Sequence, residues 1–510
     1  MNQVYKELLI ESQEIAHLSG ILSLLHWDQE TYLPAGSIHS RSQQIAILTR
    51  VIHERMTHKK YQSLLEKLIN LETGLIADSY LSEDEKIAVK GWYDDWKKTS
   101  QLPIDFVVEF AKLKSESYHV WNKAKTEKNY ALFSPYFEKI VTFSKHKAVY
   151  LDSYKPPYDA LLCEYEPGAK ASDLHELFKP LKQEIITLLK EIRHHGRHNF
   201  ISLNSHYELG AQQKFGKFLL EKMGFDFNLG RLDSSSHPFA TEFHPTDVRL
   251  TARYKLDHPL EGLSGILHEG GHALYEQGFP QEWFGTDNAK AASIGMHESQ
   301  SRLWENFIGK SKLFWNGFYD DLQRAFPKAL TTVSPKEFYE SINQVVVTPI
   351  RLDADELSYN LHIMIRFEIE EALLNSKIKV EEVPELWQRK HEEYLGVKPQ
   401  HDAEGLLQDV HWAGGSFGYF PTYILGNIYA AQLHHYMKQT IPDFSVHLQN
   451  KNLSAIFHFL KEHVYPYAKK MTAPALIQKI TKQPVSTQYL SQYLQEKYTD
   501  IYMLTKVKQG

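Results

Sequence analysis

Apolar residues recur at three- and four-residue spacing through most of this chain, and a two-residue period surfaces in one place only. The helical period predicts helices over Tyr5 to about Leu25, from about Ser40, and over Tyr61 to Leu71, Ser82 to Lys98, Ile104 to Lys125 and Tyr130 to Ser153. Between the first two, His26-Trp-Asp-Gln-Glu-Thr-Tyr-Leu-Pro-Ala-Gly36 reads as a loop, with Trp27 and Asp28 assigned to packing and capping. Pro156-Pro157 and Pro167-Gly168 punctuate the chain before further helices at Ala171 to His194 and Ala211 to Gly224. The first 230 residues are therefore expected to be almost wholly helical.

The pattern changes between Ser234 and Lys255. Val248, Leu250, Ala252 and Tyr254 alternate with Arg249, Thr251 and Arg253, the period of a half-exposed strand. Such a strand could offer an edge to an extended peptide, or belong to a small hairpin. Helical spacing resumes at Pro259, with Leu263, Ile266, Leu267 and Leu274 forming a buried stripe and Gly278 and Pro280 a stop. A loop from Gly278 to Asn288 precedes another helix, Ala291 to Asn306. Helices return from Pro335, interrupted at Pro349–Glu356 and at the Gly-rich, aromatic Ala413–Tyr423, and Ile424 to Gly510 reads as helical scaffold.

Length alone would suggest about three domains, yet no Gly-, Ser- or Pro-rich linker divides the 510 residues. One domain, 1–510, with room for two lobes is the better reading. The net charge of -6 comes from 57 basic and 63 acidic residues that are not collected into blocks, which argues against nucleic acid and anionic membrane as partners. The densest basic stretch, Arg193-His-His-Gly-Arg-His198, is read as a helix cap and loop. Cys163 is the only cysteine, so neither a disulfide framework nor a cysteine-based zinc site is available. The N-terminal residues lack the apolar core of a signal peptide, and no window of about 18 apolar residues is read as a span; a soluble cytoplasmic protein is expected.

Chemistry enters at His268, Glu269 and His272, the H-E-x-x-H arrangement of zinc peptidases. Positions i and i+4 share a helix face, so both imidazoles can reach one metal. Glu269 is then left to hold and deprotonate a water that zinc would acidify to a pKa of roughly 7. The plain alternative is an amphipathic helix whose histidines are ordinary polar groups. Gly270 and Gly271 each cost about 0.8–1 kcal/mol relative to Ala in a helix interior, which predicts that a backbone or substrate approaches closely there. A catalytic zinc needs a third protein ligand. Glu298 leads for that place, with His297, Glu305 and Asp287 as rivals, and Arg302 and Glu305 are candidates to steady the ligands. Arg351 is either a structural salt bridge among Asp353 and Asp355 or a planar fork for a carboxylate. His411, Tyr419 and Tyr423, in flexible backbone, suit a site wall that positions substrate and stabilises an oxyanion.

Taken together, these segments resemble the carboxypeptidase Taq family of thermostable metallocarboxypeptidases over nearly the whole length. The resemblance rests on His237-Pro-Phe239, Asp247-Val-Arg-Leu-Thr251, His268 to His272, His297-Glu-Ser-Gln300, Ile350-Arg-Leu-Asp-Ala-Asp355 and Gly405-Leu-Leu-Gln-Asp-Val-His-Trp412, in the family's order. It implies a mainly α, zincin-like fold with a long substrate groove, a small sheet near the metal, and commonly a homodimer. The implied activity is release of single amino acids from peptides with a free C-terminus. Carried over by motif, His268, His272 and Glu298 bind the metal, and Glu269 is the general base that later protonates the leaving amine. Arg351 would pair with the substrate's terminal carboxylate, and His237, Arg249, His411 and Tyr423 would line subsites or stabilise the tetrahedral intermediate. Zinc is the implied metal, and cobalt can often replace it. The alternatives are a zinc endopeptidase or dipeptidase of the same class and a non-catalytic helical peptide-binding protein.

Overall fold

The computed structural model describes residues 2–196 and 200–504. The first helix, Gln3–Thr31, begins where the Asn2 side chain accepts the Val4 N–H at 2.8 Å. It runs on through His26–Thr31, where a loop was expected. Tertiary contacts keep those residues helical: Trp27 is buried with the Arg249 guanidinium 4.6 Å from its ring centroid, and Asp28 pairs with Arg41 at 2.6 Å. The chain breaks only at Tyr32–Pro34. By length and composition this helix is also long and apolar enough to cross a membrane, against the expectation that no such segment occurs.

Most other predicted helices fall where the apolar period puts them: Glu83–Gln101, Ile104–Glu127, Tyr130–Leu151, Ala171–His195 and Leu209–Met223. The one begun by Tyr61 is shorter, Lys59–Glu66, because Leu68 and Ile69 turn back so that Ile69 bridges Ile76. Tyr5, Leu8, Leu64, Leu65, Trp92 and Tyr93 fill the core beside it. Of the basic stretch, Arg193 to Gly196 form the end and cap of the helix Ala171–His195, while Arg197 and His198 lie outside the described residues, as does the expected scaffold beyond Leu504.

The alternating segment forms β3 (Asp247–Ala252), which pairs in parallel with β1 (Gly230–Ser234) and antiparallel with β2 (Ala240–His244) in the order β1-β3-β2. β3 is therefore the central strand, and both its edges are taken. This corrects the reading in which it offers an edge to a peptide. On β2, the carbonyl of Phe243 is met by the first helix, where a Cβ at Gly20 would stand 2.6 Å from its oxygen.

The chain folds into two compact units. One comprises Met1–Ser100, Ser202–Ile342 and Leu433–Pro484; the other comprises Gln101–Ile201, Asn343–Gln432 and Val485–Gly510. The sheet and the H-E-x-x-H helix belong to the first, and Arg351, His411 and Tyr423 to the second.

Candidate metal centre

The helix Pro259–Gln277 stops at Gly278 as its sequence predicts, with Leu263, Ile266, Leu267 and Leu274 buried. Both glycines of the motif are sites of close approach. A Cβ at Gly271 would stand 2.5 Å from the Gln300 carbonyl oxygen and 2.7 Å from the Ser301 Cα, whereas one at Gly270 would meet the side-chain ends of Leu220 and Met223 at 2.7 and 2.9 Å. The absence of side chains thus lets the helix Ile294–Arg302 lie directly on the motif helix. Ser293 caps that second helix by accepting the Met296 N–H at 2.9 Å, and its chain continues as a π-helical stretch, Leu303–Gly309.

This packing brings three donors together. Nε2 of His268 and Nε2 of His272 lie 3.7 and 3.5 Å from Oε2 of Glu298, and the ligand atoms of the three residues all fall within 4.8 Å of one another. Two imidazoles and a carboxylate are the donor set of a catalytic zinc site, and this group fits a divalent ion. Burial alone would raise the Glu298 carboxyl. The Arg302 guanidinium, donating to Oε1 at 2.6 Å, and the two imidazoles outweigh it and hold Glu298 well below the usual carboxylate range. Burial lowers His272 to about 3, so it stands as a neutral donor. Burial also raises the carboxyl of Glu269, next in the motif, to about 7.

The rivals for the third position are engaged elsewhere. Glu305 takes His268 Nδ1 at 2.9 Å and Ser264 Oγ at 2.7 Å, and Arg302 bridges it to Glu298 through Nη1 at 3.2 Å. Asp287 pairs with Lys290 at 2.9 Å and Lys469 at 2.6 Å. His297 is bonded to Glu276 at 2.9 Å. Of these, Glu276 carried no signal in the sequence; its position one turn beyond His272 is its only mark.

His237 and Arg249 share the first unit but make no hydrogen bond, ion pair or ring contact with the donor cluster among the described residues. His237 is exposed on the loop before β2. Arg249 forks onto Asp247 at 2.9 and 3.0 Å and lies between the rings of Trp27 and Phe243. In the second unit, Arg351, His411 and Tyr423 do come together. The Arg351 guanidinium is 5.6 Å from the Tyr423 ring centroid and 5.8 Å from that of Phe420, which His411 meets at 4.6 Å. Tyr423 lies in the first turn of the helix Pro421–Thr440 rather than in the loop.

Two residues without an expected role, Asp409 within the Gly405–Trp412 motif and Glu370 outside any motif, organise this second cluster. Asp409 receives Arg351 Nε and Nη2 on Oδ1 at 2.9 and 2.7 Å and Arg366 Nε on Oδ2 at 2.6 Å. Burial would raise Asp409, but the two guanidiniums hold it well below the carboxylate range. Neither Asp353 nor Asp355 is the partner of Arg351. Glu370, raised to about 8 by burial, accepts the Trp412 Nε1–H at 2.8 Å and the Gly418 N–H at 3.0 Å and so ties down the loop that carries His411.

Two imidazoles and a carboxylate on packed helices, with a buried glutamate between the imidazoles in sequence, define the centre of a metallopeptidase. The chain belongs to the carboxypeptidase Taq (M32) metallopeptidase family, whose sequence model matches residues 7–498. Carboxypeptidase 1 of Bacillus subtilis is 38% identical over 500 residues, covering 98% of this chain and 99% of that protein. Thermostable carboxypeptidase 1 of Thermus thermophilus is 37% identical over 508 residues, with 98% and 99% covered. The crystal structure of the M32 carboxypeptidase from Deinococcus radiodurans superposes with a TM-score of 0.95 at 34% identity, covering 98% of this chain and 100% of that one. The protein is an enzyme, a metallocarboxypeptidase that hydrolyses peptides.

Proposed function

We propose that this metallocarboxypeptidase is a zinc enzyme that removes single amino acids from free peptide C-termini and tolerates many departing side chains. The observation that carries the reading is the convergence of His268, His272 and Glu298 donor atoms within 4.8 Å, with Glu269 buried beside them. A nitrogen and oxygen donor set without thiolate suits zinc, and cobalt by the same chemistry. Held by these three side chains, the ion would supply Lewis acidity to the scissile carbonyl and to the attacking water.

The protein's own groups do the rest. Glu269, buried beside the donors, takes a proton from the water and returns it to the departing amine. Arg302 keeps Glu298 ionised, and Glu305 fixes the ring and tautomer of His268. Arg351 receives the terminal carboxylate of the substrate by a charge-assisted bond, with His411 and Tyr423 positioning the chain end. For His237 and Arg249 the support is their sequence motifs, and Arg249 must share its guanidinium with Asp247.

A homodimer and a cytoplasmic location complete the proposal, supported by the family resemblance and by a single cysteine in 510 residues. Light scattering and cell fractionation check them. The activity itself is tested by a mass-spectrometric time course on one unblocked peptide with fresh, chelator-treated and zinc-restored protein. A ladder of single-residue losses that vanishes with chelation and returns with zinc is expected. Internal fragments or released dipeptides would replace the reading with that of an endopeptidase or dipeptidase.

A further inference from the structure

The two imidazoles of the centre are oriented by different means. His268 turns Nε2 toward Glu298 and sets Nδ1 2.9 Å from Glu305 Oε2, the carboxylate pairing that commonly fixes a metal-binding ring. His272 has no such partner. Its Nε2 also faces Glu298, but its buried Nδ1 makes no hydrogen bond among the described residues.

What His272 has instead is a stacked neighbour. The His297 ring lies parallel to it, with centroids 4.1 Å apart and planes 11° from coplanar. His297 is itself held, its Nε2 2.9 Å from Glu276 Oε1. Glu276 is buried and sits four residues after His272 on the same helix, one turn along and on the same face. The helix that carries the ring therefore also carries the anchor of the ring stacked upon it. Glu269, Glu298 and Glu305 already bring three carboxyl groups to the centre, and a fourth at Nδ1 would add negative charge beside Glu269. A flat ring face restrains rotation without that addition.

We propose that Glu276 and His297 are positioning residues for His272: Glu276 fixes His297, and the stack with His297 fixes the rotation of the His272 ring. This rests on His272 being a metal ligand, as proposed above.

Equilibrium zinc affinity of the metal-stripped full chain, measured by competition with a chromophoric chelator, reads the effect directly. His297→Ala is expected to weaken zinc binding about ten- to hundred-fold, the range for loss of an orienting partner. His297→Phe combined with Glu276→Gln keeps a flat ring without stranding a carboxyl, and stays within a few fold of the parent. Glu276→Ala weakens binding, and adding it to His297→Ala brings little further loss, because the two act as one unit. The ligand-field spectrum of cobalt-loaded His297→Ala should also differ from that of the parent, which a defect in folding elsewhere would not produce. Thermal melts of the metal-free variants identify any that fail to fold. Unchanged zinc affinity in His297→Ala, or a Phe variant as weak as Ala, overturns the inference. If the parent protein binds no zinc, the metal-centre reading fails and this inference falls with it; if the parent binds one zinc and His297→Ala binds it equally, this inference alone fails.

Discussion

Gly271 and Gln300 lie so close that a methyl group on the glycine would stand 2.5 Å from the Gln300 carbonyl oxygen. This contact sets the distance between the helix bearing His268 and His272 and the helix bearing Glu298. A backbone atom cannot step aside as a side chain can. The two adjacent glycines therefore have different tolerances.

Gly271→Ala is expected to destabilise the protein by about 1–3 kcal/mol and to weaken zinc binding, because the added carbon must push a backbone away. Gly270→Ala meets flexible side-chain ends, and the gain in helix propensity of about 1 kcal/mol offsets much of its strain. Denaturant unfolding and zinc titration of both variants check this. Equal losses would show that the Gln300 contact does not set the spacing.

Glu269→Gln removes the proton acceptor and keeps the shape. Metal content should remain at the parent level while kcat falls by about three orders of magnitude or more, near the upper range for general acid–base catalysis. Elemental analysis and steady-state kinetics on one preparation give both numbers. Near-normal turnover would remove Glu269 from its proposed role.

Arg351→Ala is expected to lower kcat/KM about ten- to hundred-fold on peptides with a free C-terminus, the worth of one charge-assisted hydrogen bond. Any internal cleavage of C-terminally amidated peptides should change far less. Paired assays on the free and amidated forms of one sequence separate the cases, and equal losses on both would assign Arg351 a purely structural role.

Asp287 tests the electrostatics away from the centre. Burial opposes its ionisation, but Lys290 and Lys469 prevail and lower its carboxyl to about 2 from an ordinary value of 3.8. A carboxyl lowered on folding contributes stability above pH 4, and that contribution fades as pH falls toward 2. Asp287→Asn should therefore lower the melting temperature at pH 7, by a cost of about 2 kcal/mol given that both lysines reach water. The gap to the parent protein should narrow below pH 4. Melting curves of chelated samples across pH 2.5 to 7 provide the check, and a gap independent of pH would contradict it.

The helices were legible because burial of one face imposes its period directly on the residues, as in Ala171–His195. His26–Thr31 misled because its helicity depends on Arg249 over Trp27 and Arg41 on Asp28, contacts made by distant segments. β1 left no trace, being five residues, Gly-Arg-Leu-Asp-Ser, whose strand character comes from parallel pairing with β3. At the centre, His268 and His272 could be read because their spacing is local. The acceptor for Arg351 could not: Asp353 and Asp355 stand nearby in sequence, yet the bond goes to Asp409. Arg366 looked like any arginine within a helix. The pairing of Glu276 with His297 depends on which way two side chains turn, and spacing carries no record of that.

Asp409 is one anion facing two cations. Among the described residues it is the one carboxylate that pairs with either guanidinium, so the cations outnumber their bonded anion where little water reaches. On the role proposed for Arg351, an arriving chain end neutralises that surplus. Selection of substrates would then follow from the negative charge common to every peptide C-terminus, whatever its last side chain. On that proposal the enzyme would identify an end by its sign rather than by the residue that bears it.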